Sequence, residues 1–226
     1  METSRKPLKS QNITWLGAVL AIDVLVLVAF ALGWADVTAW NVEKLATRAG
    51  LATLMPVAAL LLAALIPADV KATLVYWRIK DTLPGHRAFS KHAPSDSRID
   101  LESLRKNVGA FPSEPREQNT VWYRLYKKVA SDAAVEGGHK GYLLFRDLAA
   151  ISIVLTLAAP IGVYLFLDGG IRTALLAGVL MLVQYLLAAI AARNSGVRFV
   201  TNVLAIHSAK RVTTPPASKA RTLKNA

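Results

Sequence analysis

Asp23 stands in the middle of an apolar run over residues 13–34 that holds no other charge. A carboxylate at that depth in a bilayer costs about 3 kcal/mol or more unless it is paired, hydrated or protonated. It therefore marks either a water-accessible ion or proton path, or a hydrogen bond that fixes how helices pack. Thr53, Thr156, Gln184 and Tyr185 lie at similar depth in other apolar runs and are candidate partners. A coupled transporter is expected to carry a second charged residue deep in another run, and none is present. Pro56 and Pro160 lie inside two of the runs, where proline frees backbone carbonyls and can act as a hinge.

A second concentration of chemistry is the stretch Pro84, Gly85, His86, Arg87, Ala88, Phe89, Ser90, Lys91, His92. Turn amides, two imidazoles, a guanidinium, an ammonium and a hydroxyl in so few residues suit an anion, such as a nucleotide or a lipid headgroup. His86, Arg87 and Lys91 are its candidate ligands, and Arg124 and Lys128 extend the basic surface toward a partner protein. No GxxxxGK[ST] loop accompanies them. Asp81, His86 and Ser90 have the residue types of a hydrolase triad, but there is no GxSxG, no HExxH and no His/Asp/Glu spacing for a metal. Neither an enzyme nor a cofactor is expected. The chain has no cysteine, so disulfides and thiolate metal sites do not arise.

The elements that must position these residues follow from hydropathy and charge. A membrane-crossing helix needs about 20 apolar residues. Four such runs are present, at residues 13–34, 49–68, 148–167 and 171–192, in a chain that is 54% hydrophobic. Of its 27 Lys and Arg, only Lys44 and Arg48, in the connection between the first two runs, and Arg172, at the edge of the fourth beside the last connection, lie outside the N-terminal arm, the middle segment and the tail. By the positive-inside bias, both termini and the long middle segment face the cytoplasm. Arg5 to Lys9 followed by an apolar run and Ala29-Phe30-Ala31 imitates a cleavable signal peptide; Asp23 and the length of the run favour an uncleaved anchor.

The expected fold is all-α. A cytoplasmic arm (1–12) precedes a first transmembrane hairpin (13–68), a basic cytoplasmic helical module (69–147), a second hairpin (148–192) and a basic, largely disordered tail (193–226). In the module, the second span is expected to continue through Val70, Leu74, Tyr76 and Trp77 until Leu83-Pro84-Gly85 breaks it. Asp96 is expected to cap a short helix through Leu104, and Ser113 another carrying Trp122, Leu125 and Val129, which Gly137-Gly138 closes. The module should pack against the extended ends of spans two and three.

The net charge of +12 is largely topology plus the tail, so a nucleic-acid partner is not expected. Anionic lipid is, at about 1 kcal/mol per basic residue near the surface. Small residues at four-residue spacing (Gly17/Ala21, Ala59/Ala63, Ala174/Gly178, Ala188/Ala192) allow close helix packing and homo-oligomers. The layout resembles that of small membrane-disrupting effectors of bacterial anti-phage systems, although no motif carries the resemblance. It implies an oligomeric, channel-like protein of the bacterial inner membrane that answers an intracellular ligand. The alternative is a membrane anchor that recruits a partner and forms no pore.

Overall fold

A computed structural model describes residues 11–39, 42–166 and 170–210. Expectations for the arm before residue 11, for Asp168, for the side chains of Asp36, Lys44 and Arg48, and for the tail beyond residue 210 lie outside what is described.

Every described element is helical: α1 (Ile13–Ala39), α2 (Val42–Leu65), α3 (Ala68–Tyr76), α4 (Leu101–Val108), α5 (Pro115–Val129), α6 (Ala133–Phe166) and α7 (Ile171–Ala209). Tight 3₁₀, π and α turns fill Pro84–Arg87, Ala88–His92 and Ala93–Ser95. Among the described residues, α6 and α7 are long and apolar enough to cross a membrane. Pro56–Leu65 and Ala68–Tyr76 make a third candidate only if taken together, as one span bent by 109°. Ile13–Leu27 is a shorter apolar stretch of α1.

The α6–α7 hairpin is the spine. Its antiparallel contact is built from small residues, because apolar helices in lipid gain little from hydrophobicity and must pack closely instead. A Cβ at Gly138 would sit 3.0 Å from the Cα of Phe199, and one at Gly178 would sit 2.7 Å from the Pro160 ring. Ala174, Ala188 and Ala192 are buried in the same bundle, as are Ala59 and Ala63 of α2. Gly17 and Ala21, by contrast, are exposed.

Several boundaries differ from expectation, each for a local reason. α2 does not run on past residue 68. It stops at Leu65, because Ile66 precedes a proline and is steered out of helical geometry. The break thus falls at Pro67, while α2 and α6 remain continuous through Pro56 and Pro160. Gly137 and Gly138 do not end a helix. Asp132 caps α6 by accepting hydrogen bonds from the amides of Ala134 (2.9 Å) and Val135 (3.4 Å), and both glycines lie inside α6. Asp100, not Asp96, caps α4, accepting from the amides of Glu102 (2.9 Å) and Ser103 (3.2 Å). Glu114, not Ser113, precedes α5.

The largest difference is in α7. Its 39 residues extend about 58 Å at 1.5 Å each, roughly twice the hydrocarbon thickness of a bilayer. Residues 193–209 are therefore helix and not a disordered tail. Phe199, Val200, Val203 and Leu204 recur at helical spacing on this extension and are buried with Phe89, Leu104, Trp122 and Leu125. The polar module thus packs around the extension of α7 and the first turns of α6, not around an extended second span. Asn107 ties α4 to the carbonyls of His207 (2.9 Å) and Lys210 (2.8 Å), and Asn202 reaches the carbonyl of Ala134 (2.8 Å).

Candidate functional site

Asp23 is 2% exposed and faces the α6–α7 spine. The Gln184 side-chain amide donates to Asp23 Oδ2 (3.1 Å) and lies at the same distance from Ser152 Oγ (3.1 Å). Ser152 Oγ in turn donates to the Leu148 carbonyl (2.9 Å). One network therefore joins α1, α6 and α7 within a single chain. Of the expected partners, Gln184 meets Asp23. Thr156 donates to the Ser152 carbonyl of its own helix (2.8 Å), and Thr53 is exposed.

Tyr185 serves a different purpose. Its hydroxyl donates to the Leu74 carbonyl (2.8 Å) and accepts from Trp77 Nε1 (2.9 Å). Arg193 Nε donates to the Val75 carbonyl, and its guanidinium lies 3.5 Å from the centre of the Trp77 ring. The last carbonyls of a helix have no partner within it. Here Tyr185 and Arg193 of α7 satisfy those of α3 and dock it across the spine. Trp77 leaves α3 in the left-handed region (φ 52°).

Beyond that docked end lies a cavity of about 210 Å³ lined by Arg78, Thr82, Arg87, Lys91, His92 and Arg193, with Tyr76 among its walls. No acidic residue lines it, and none of its four cations has an acidic partner among the described residues. Burial, then the charges of Arg87 and Arg193, pushes the Arg78 guanidinium below its ordinary value. His92 is 8% exposed. Burial, then the charges of Lys91, Arg78 and Arg87, pushes its imidazole down to about 4.

The turns that carry Arg87, Lys91 and His92 are clamped to α5. Gln118 Oε1 accepts from the amides of Phe89 and Ser90 and from Ser90 Oγ, each at 3.1 Å. Gly85 permits the approach, since a Cβ there would meet the Trp122 ring at 2.8 Å. The Ser90 hydroxyl is thus directed at Gln118 and not at His86, whose Nδ1 is buried with no hydrogen-bond partner. Arg124 and Lys128 are exposed on α5 and lie outside the cavity.

Of the expected anion ligands, the fold therefore unites Arg87 and Lys91, sets His86 beside them and leaves Arg124 and Lys128 apart. It adds Arg78, His92 and Arg193. Arg78 and Arg193 were legible only as cations bordering apolar segments, since nothing in sequence order brings Arg193 to residues 78–92. Gln118 had no signal at all.

The His92 environment gives a pH dependence. Its folded pKa of about 4 lies below the ordinary value near 6.5, so the unfolded chain binds the extra proton first. Stability attributable to neutral His92, facing Arg78, Arg87, Lys91 and Arg193, is complete above about 6.5 and is lost as pH falls toward 4. The thermal midpoint should drop across that window, and His92→Gln should flatten the drop. Equal slopes in the two proteins would remove His92 as the cause.

Among the described residues the fold is all-helical, with two helices, or three if the bent pair counts as one, apolar enough to cross a membrane, and a polar module built on the ends of the two longest. Comparison of the chain with protein-family models, with curated proteins and with solved structures returns no match.

Proposed function

We propose that this protein is a multi-pass membrane anchor whose four apolar helices hold a basic recognition module on the cytoplasmic face of a bacterial inner membrane. The module recognises an anionic partner. The observation that carries this reading is the closure of the Asp23 network inside one chain. A channel-like effector in which Asp23 lines a path at an oligomer axis needs that carboxylate to face outward. At 2% exposure, with the Gln184 amide upon it, it faces inward. The distribution of Lys and Arg supports the orientation, and the unpaired cations of the module supply its recognition surface.

Reconstituted in liposomes, the protein should leave proton and potassium flux at background. Asp23→Asn keeps an oxygen that can accept from Gln184, so it should change stability by no more than about 1 kcal/mol, within the range of interhelical hydrogen bonds in membranes. A protein-dependent flux that Asp23→Asn alters would overturn the anchor reading in favour of the channel.

A further inference from the structure

We propose that the cavity between the end of α3, the turns at residues 82–92 and Arg193 binds a phosphate monoester. This chemistry is shared by an anionic lipid headgroup and a soluble phosphate compound. The inference rests on reading the module as an anion-recognition unit, and it names the anion.

The first argument is charge. Arg78, Arg87, Lys91 and Arg193 converge on one cavity with no carboxylate among its walls. Elsewhere the fold provides counter-charges where cations meet: Lys71 and Arg146 share Asp147, and Arg98 pairs with Asp96. Four cations gathered without an acid repel one another, and an ordinary surface would disperse them. A doubly charged anion supplies what the protein leaves out.

The second argument is preorganisation. Arg193 is fixed by its hydrogen bond to the Val75 carbonyl and by the Trp77 ring, yet its Nη2 is buried with no hydrogen-bond partner. A buried donor left unmade costs about 1–3 kcal/mol, more when charged. His92 is also buried among the walls, and its ring makes no hydrogen bond among the described residues. A planar guanidinium held in place and a ring nitrogen ready to donate match the oxygens of a phosphate group.

The third argument is position and size. At about 210 Å³, the cavity takes a phosphate group with a few waters rather than a large apolar molecule. Trp77 is 52% exposed and Ile79 is 92% exposed on the loop that carries Arg78. Such residues suit the depth at which headgroups lie. The opening toward Lys91, itself exposed, also admits a soluble compound.

The test uses the full chain in phosphatidylcholine nanodiscs. In one arm, inorganic phosphate is titrated against chloride at constant ionic strength and the thermal midpoint is followed. In the other, native mass spectrometry counts retention of phosphatidic acid, whose headgroup is a monoester, against phosphatidylglycerol, a diester. We expect saturable binding in at least one arm. Arg87→Gln/Lys91→Gln should weaken it about tenfold or more, as expected for lost charge-assisted hydrogen bonds. Arg124→Gln/Lys128→Gln removes the same net charge outside the cavity and should leave it within about twofold, as expected for screened surface charges. Arg87 and Lys91 make no hydrogen bond through their side chains to other described residues, and their removal relieves charge repulsion, so the ligand-free variant should melt at or above the wild-type midpoint. Saturation by inorganic phosphate assigns a soluble source, and selective retention of phosphatidic acid assigns the lipid. No saturable binding in either arm, or equal weakening by the two double variants, overturns the inference. That outcome leaves the anchor reading intact, since the latter is decided by flux.

Discussion

Replacing Gln118 with alanine is expected to destabilise the protein by about 3–5 kcal/mol and to free the turns at residues 84–92 while the apolar helices remain folded. Gln118 is 1% exposed. Its Oε1 satisfies three donors, the amides of Phe89 and Ser90 and the Ser90 hydroxyl, and its Nε2 donates to the Ser113 carbonyl (3.2 Å). These turns have no regular hydrogen-bond ladder to fall back on. Alanine removes the acceptor and leaves buried polar groups unmade, each worth about 1–3 kcal/mol, while opening a void beside Phe89. Hydrogen exchange at the Phe89 and Ser90 amides should accelerate before exchange in α6 and α7 changes. Gln118→Glu keeps the acceptor and should retain the slow exchange. Unchanged exchange at Phe89 and Ser90 in the alanine variant would refute the clamp. Because these turns carry Arg87, Lys91 and His92, the alanine variant should also lose the cavity.

Asp147→Asn is expected to cost about 3–5 kcal/mol, the penalty for removing one member of a buried ion pair. Lys71 Nζ lies 3.2 Å from Asp147 Oδ1, and the two side chains are 6% and 9% exposed. Arg146 lies 3.0 Å from the same oxygen. Two cations therefore depend on one carboxylate, at the mouth of an apolar cleft of about 380 Å³ between α1, α2 and α6. Asparagine preserves the shape and removes the charge, so the loss reports on electrostatics rather than packing. Lys71→Met in the Asp147→Asn background should recover most of the stability, since it removes the cation that asparagine strands. Thermal unfolding of the four proteins in one detergent completes the cycle. A double variant as unstable as Asp147→Asn alone would show that the pair does not hold α3 against α6.

How much of this was legible in the sequence differs by element. The apolar runs at 148–167 and 171–192 were readable because an uninterrupted 20-residue hydrophobic pattern has few alternatives. The buried face of α5 was readable for a similar reason, as Trp122, Leu125 and Val129 repeat at helical spacing. Gly137-Gly138 misled because a glycine pair weakens a helix locally, while the nearby Phe199 backbone leaves no room for a side chain at Gly138. The 193–209 extension was obscured by its charges, which suited a tail equally well until Phe199, Val200, Val203 and Leu204 were seen to share a core with α4 and α5.

The candidate sites divide along the same line. Asp23 announced itself, because one carboxylate in an apolar run is rare and costly whatever surrounds it. That Gln184 rather than Tyr185 would meet it depended on helix rotation. Arg87 and Lys91 were visible as a local cluster, but Arg78 and Arg193 joined them only when Pro67 turned α3 back across α7. The sequence by itself determined a helical, membrane-compatible chain, its uneven charge and the presence of a carboxylate within an apolar run, because hydropathy and charge are properties of short segments. Only the tertiary structure decided that the carboxylate closes inside the chain and that Arg193 faces the same cavity as Arg78, Arg87 and Lys91, because both follow from the angle and register at which helices pack.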